Sequence, residues 1–154
     1  MRVFSHCGIL VAFFLAAAHV AIGQVVIQLP SAEHFKSREQ FTVTIVNRGD
    51  QPVTFCTNLA WFAKPDGDSH LIDTPLVSQS WNGQKWNTLL NGNDIGDTSR
   101  YVIQEAHESH NFNLGLNGTG RMRFLVEYWV GENDQACKNP KGKRTAKSRV
   151  FTIE

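Results

Sequence analysis

Along most of this chain apolar and polar residues alternate with a period of two, and almost nowhere do apolar residues recur every three or four positions as a helix face requires. Phe41, Val43 and Ile45 fall on one side of an extended segment, with Thr42 and Thr44 on the other, which is the pattern of a half-buried strand. The polar cluster Asn47-Arg48-Gly49-Asp50-Gln51-Pro52 then predicts a turn, and Val53-Thr54-Phe55 resumes the alternation as a second, antiparallel strand. Upstream, residues 25–29 predict a first strand whose pairing Pro30 limits.

Residues 58–64 carry Leu59, Trp61 and Phe62 before the sharp break Pro65-Asp66-Gly67-Asp68, and residues 69–84 are less regular. Short strands are predicted at 86–90 and 101–103, separated by the turn-rich segment 91–97. Residues 111–116 alternate cleanly up to Asn117-Gly118-Thr119-Gly120, residues 122–130 form the longest strand, a loop runs over 131–147, and residues 149–153 close the chain. Seven to nine strands with turn signals between them and no strand–helix–strand rhythm predict an all-β fold, an antiparallel sandwich of two sheets in one domain spanning 24–154.

The run Phe41-Thr-Val-Thr-Ile-Val-Asn47, the Gln51-Pro-Val-Thr-Phe55 strand, Trp86, the late Gly120-Arg-Met-Arg-Phe-Leu-Val126 strand and Phe151-Thr-Ile153 together resemble bacterial extracytoplasmic immunoglobulin-like domains. In such domains a strand ending in Asn leads through a polar turn to a Pro-Val strand, and a Gly-x-x-Arg strand comes late. The resemblance covers most of residues 24–154 and implies an immunoglobulin-like sandwich, with no catalytic residues carried across. Some such domains are similar to proteinase-inhibitor sandwiches, but no reactive-loop motif is recognisable here.

The first 23 residues stand apart from this pattern. Arg2, the apolar run 8–18 and the small residues Ala21-Ile22-Gly23 form the three parts of a secretory signal peptide, with cleavage expected before Gln24. The apolar run is shorter than the roughly 20 residues a spanning helix needs and is interrupted by His19, so no membrane span is expected after cleavage. Export places the protein in the periplasm or outside the cell.

Loss of Arg2 reduces the 15 basic residues to 14, matching the 14 acidic ones, and this neutral balance predicts neither a nucleic-acid footprint nor a membrane-surface helix. Cys7 leaves with the leader. Cys56 and Cys137 remain, and in an oxidising compartment an isolated pair is most simply a disulfide; two unrelated buried thiols are the other reading.

Four features carry candidate chemistry. The segment 138–149 holds Lys138, Lys141, Lys143, Arg144, Lys147 and Arg149 with no acidic residue, a local charge suited to an acidic partner or surface polymer, or else a solvated hairpin loop. Trp81 and Trp86 bracket a turn, where flat rings would stack on a sugar or anchor a protein; the common fate of such rings in a sandwich is burial, and at least one of Trp61 and Trp86 is expected in the core. His107 and His110, with Glu105 and Glu108, are the densest set of metal-type ligands, but their spacing is not that of a helical zinc site and a solvated segment explains them. Asp66-Gly67-Asp68 with Asp73 reads as a turn, since the glycine position and terminal glutamate of a calcium loop are missing.

No nucleophile elbow or other assembled catalytic set is present, and no cofactor is expected. Asn117-Gly118-Thr119 is a glycosylation sequon and equally a glycine-rich turn. The chain is therefore expected to be a non-enzymatic binding module for an unidentified protein or surface polymer. The alternatives are a carbohydrate-binding accessory domain using Trp81 and Trp86, a proteinase-inhibitor-like sandwich, and a metal-dependent enzyme built on the histidine segment.

Overall fold

In the computed structural model, residues 24–89 and 100–154 are described. The leader at 1–23 and the turn-rich segment 91–97 lie outside the described residues. The described residues form twelve strands: β1 Val25–Gln28, β2 His34–Phe35, β3 Phe41–Asn47, β4 Val53–Ala63, β5 Ser69–Thr74, β6 Val77–Trp81, β7 Trp86–Thr88, β8 Arg100–Gln104, β9 Ser109–Leu114, β10 Gly120–Val130, β11 Arg144–Lys147 and β12 Phe151–Ile153. No helix occurs among the described residues.

Strands β1, β3 and β9 form the smaller sheet in that order, and the larger sheet runs β2-β12-β10-β4-β5, with β6 and β11 on β10, β7 on β6 and β8 on β4. Every pairing is antiparallel except the short β2–β12 contact. The inward residues of β3 (Phe41, Val43, Ile45) meet those of β10 (Met122, Phe124, Val126, Tyr128), with Val53, Phe55, Leu114, Phe151 and Ile153 filling between them. Phe35, Phe41, Phe124 and Phe151 pack as a chain of aromatic contacts with centroids 4.3 to 6.3 Å apart. This interior makes the chain an antiparallel β-sandwich of immunoglobulin-like type.

Strand β4 turns the corner between the sheets. Its first half pairs with β10 and β8, while its second half pairs with β5. At the far end the Ala63 N–H donates to the Gly115 carbonyl (2.9 Å), and the Gln40 amide donates to the Ala63 carbonyl (2.6 Å). A Cβ on Gly115 would lie 2.8 Å from the Ala63 oxygen, so the close approach of the two strands excludes a side chain there.

The strand count exceeds the seven to nine expected, for identifiable reasons. The irregular stretch 69–84 contains β5 and all of β6, whose inward positions include His70, Thr74 and Ser78 and therefore show little apolar contrast. The expected loop 131–147 ends in β11, which pairs with Leu125–Tyr128. Between β11 and β12 one residue is gained relative to β10, making a bulge where Ser148 exchanges bonds with Phe124: each backbone N–H is satisfied, one by the Phe124 carbonyl and the other by the Ser148 hydroxyl, both at 2.9 Å.

Neither Trp61 nor Trp86 enters the core. Trp61 is 46% exposed because its neighbour Phe62 takes the inward position on β4, and Trp86 is half-buried on the outer face of the larger sheet. Phenylalanines occupy the interior instead. The buried indole is Trp129, 5% exposed, and it too faces away from the core.

Candidate functional site

Trp129 is buried because residues 131–143 fold back over the outer face of the larger sheet. Cys56 on β4 and Cys137 in that segment form a disulfide, with Cα atoms 5.4 Å apart. The Thr54 hydroxyl donates to the Gly131 carbonyl (2.8 Å) and accepts from the Asn133 N–H (3.0 Å), while the Trp129 indole N–H donates to the Lys141 carbonyl (3.1 Å). Ala136, within the fold-back, is buried.

This arrangement divides the six basic residues. Lys143 binds Glu127 (2.8 Å), and the Arg149 guanidinium donates to the carbonyls of Pro30 and Ala32, so both serve the scaffold. Arg144 and Lys147 lie on β11 rather than in a loop. Lys138 and Lys141 are exposed on the fold-back.

The β6–β7 hairpin does bring side chains together. Trp81 and Trp86 are directly opposed across it, with ring centroids 5.4 Å apart and planes inclined by 52°. The guanidinium carbon of Arg123 on β10 lies 4.1 Å from the Trp86 ring centroid, and its Nε donates to Gln79 Oε1 (2.8 Å). Register explains the meeting: Arg123 is opposite Gln79 and Gln79 is opposite Thr88, so all three point outward, as do Trp81 and Trp86 one step along. The turn is held by the Asn82 side chain, which accepts from the N–H groups of Gln84 and Lys85. Asn82 and Gly83 mark that turn in the sequence, but Arg123 is joined to it only by the long-range pairing of β6 with β10.

Elsewhere a concavity of about 510 Å³ opens between β8 and β9, lined by Thr57, Asp73, Arg100, Tyr101, His110 and Phe112. Its charged groups engage one another or their neighbours: Arg100 with Asp73 at 3.4 Å and His110 with Glu108 at 3.1 Å.

The histidine segment does not form a ligand set. His107, in a left-handed turn conformation, faces Asp50 (3.2 Å), while His110 pairs with Glu108. Among the described residues no group of three or more His, Cys, Asp and Glu side chains converges. The Glu105 N–H donates to Glu108 Oε2 (2.8 Å), and chiefly that bond, with His110 second, holds the Glu108 carboxyl below its ordinary value. At Asp66 the side chain accepts from the Asp68 N–H (3.0 Å), as a turn requires. Asn117 accepts from Arg38 (2.9 Å), whose guanidinium also spans the Lys64 and Asp68 carbonyls.

No family model matches the sequence, and no curated protein matches it significantly. Among solved structures, the chain is similar to a superoxide reductase (neelaredoxin) from Ignicoccus hospitalis, with 15% identity over 87% of this chain and 84% of that one and a TM-score of 0.41. It is likewise similar to WR4, an MSP family member of C. elegans (10% identity, 79% and 94% covered, TM-score 0.38), and to the ASH/PapD-like domain 7 of human CEP192 (10% identity, 97% and 94% covered, TM-score 0.33). The sandwich assignment stands on the strands and layers of the chain itself.

Proposed function

We propose that the chain is an exported, non-enzymatic binding module that recognises its partner through the outer face of the larger sheet, around Trp81, Trp86 and Arg123. One observation carries this reading: two half-buried indoles and a guanidinium pack against one another on the solvent side of a strand ladder, outside the sandwich core. Rigid aromatic rings beside an arginine are the side chains that most often dominate recognition, because they present large contact areas with few torsions to freeze. The disulfide and the signal-like leader support export, and the resemblance to bacterial extracytoplasmic domains supports an envelope location.

Retention on the native cell-envelope fraction tests the reading. The protein is expected to co-sediment with that fraction, and Trp81→Ala/Trp86→Ala to lose retention while keeping its circular dichroism spectrum. Lys138→Ala/Lys141→Ala is expected to behave as the parent. Undiminished retention of the tryptophan variant removes this face from consideration.

A further inference from the structure

The geometry points to an acidic polysaccharide, a uronate- or sulfate-bearing sugar chain, as the ligand of this face; the inference rests on the binding reading above and adds the ligand's chemistry. Strand register lays out the outward positions in rows. Arg121 stands opposite Thr152, Arg123 opposite Gln79 with Thr88 beyond, and Leu125 opposite both Lys147 and Val77. Trp81 and Trp86 flank the first two rows.

These rows contain three cations and no carboxylate. Of the acids on their borders, Glu127 is matched by Lys143 at 2.8 Å and Glu154 by His34 at 2.6 Å, which leaves Glu33, whose carbonyl accepts from the Thr152 N–H, as the one acid there without an ion pair to a described residue. Neither Arg121 nor Lys147 forms an ion pair with a described residue, and both are exposed. A protein whose formal net charge is only +1 thus carries a local cationic excess around an aromatic pair.

Each component fits a different part of such a ligand. Indole surfaces accept the C–H faces of pyranose rings, Gln79, Thr88 and Thr152 offer short polar groups to hydroxyls, and the three cations meet charges spaced along the chain. Nucleic acid fits less well: phosphate neutralisation requires a dense basic footprint, and here three cations are spread over three rows of a sheet, with successive outward residues on a strand about 7 Å apart.

Tryptophan fluorescence titration of the protein lacking residues 1–23 tests this. The probes are oligogalacturonate, oligoalginate and heparin-derived oligosaccharides, with methyl-esterified oligogalacturonate as the neutral version of the same sugar and polyglutamate and single-stranded DNA as anions without stacking pyranoses. At least one acidic oligosaccharide is expected to bind, and if it is oligogalacturonate its methyl ester binds about tenfold more weakly at low salt. Arg121→Ala/Lys147→Ala, both at exposed positions outside the core, is expected to weaken acidic binding about tenfold and to narrow the gap between the acid and its ester. Trp81→Ala/Trp86→Ala is expected to lose both.

Equal affinity for the acid and its ester overturns the charge assignment while leaving the aromatic face as the binding surface. Polyglutamate or DNA binding as tightly as the sugars overturns the polysaccharide. So does failure of all three acidic sugars to bind below about 1 mM, whereas envelope retention lost in the tryptophan variant would still sustain the broader reading.

Discussion

The guanidinium of Arg123 lies 4.1 Å from the ring centroid of Trp86, joining a strand at the centre of the larger sheet to a hairpin at its edge. Strand β7 has three residues and, among the described residues, pairs only with β6, so this contact adds to the β6–β7 ladder and the Trp81 ring in holding Trp86 in place. Arg123→Ala is expected to destabilise the protein by about 1 kcal/mol, half-buried cation–π contacts lying near that magnitude. The same variant is expected to red-shift tryptophan emission and speed amide exchange in β7. Exchange rates in β7 indistinguishable from those of the parent would show that the hairpin holds itself.

The disulfide closes a loop of sequence separation 81 and pins the fold-back over Trp129. Its removal in Cys56→Ala/Cys137→Ala is expected to cost up to about 4 kcal/mol by the chain-entropy estimate. Because Trp129 sits beneath the pinned segment, its quenching by iodide is expected to rise, with the core strands still protected from exchange. Loss of β3 and β10 protection at the same denaturant concentration would instead make the fold-back part of the main cooperative unit.

Much of this fold was legible from alternation alone, and where it failed the reasons are local. Strand β3 shows three apolar residues inward and threonines outward, because one of its faces is solvated. Strand β11 was hidden because only Ala146 of its four residues packs toward the core. The run Tyr128-Trp129-Val130 breaks the period-two pattern, and that break was the available sign that the outer face of β10 is covered at this end. At the candidate site, the hairpin tryptophans and their turn were visible, whereas the placement of Arg123 depends on the register of β10 against β6 and was not.

Asn47, the residue that ends β3, is fully buried and satisfies a junction of two turns. Its amide donates to the carbonyls of Gln51 (2.8 Å) and Glu105 (2.9 Å), its oxygen accepts from the Gly49 N–H (3.1 Å), and the adjacent Gln104 amide donates to Ile45 and Glu108. Asn47→Ala would strand several buried polar groups and is expected to cost about 3 kcal/mol. Asn47→Asp keeps the acceptor but turns the donor side into an oxygen facing carbonyls, and is expected to be at least as damaging at neutral pH. Chemical denaturation of both variants checks this; an aspartate variant as stable as the parent would mean water replaces the lost donors.

The turn at residues 105–108 supplies the pH dependence. The Glu108 carboxylate accepts from the Glu105 N–H and faces His110, so its charged form is favoured in the folded chain and its pKa lies below the ordinary 4.5. A depressed folded value means the unfolded chain takes up the proton first on acidification. The contribution is therefore complete above pH 4.5 and is lost as the pH falls through the lower, folded value. Glu108→Gln retains the shape and the acceptor for the Glu105 N–H while removing the charge. The variant is expected to melt below the parent at neutral pH, by a small margin because the group is exposed, and the two melting curves are expected to converge as the solution is acidified. Melting temperatures that differ by the same amount at every pH would show that Glu108 acts through shape and hydrogen bonding alone.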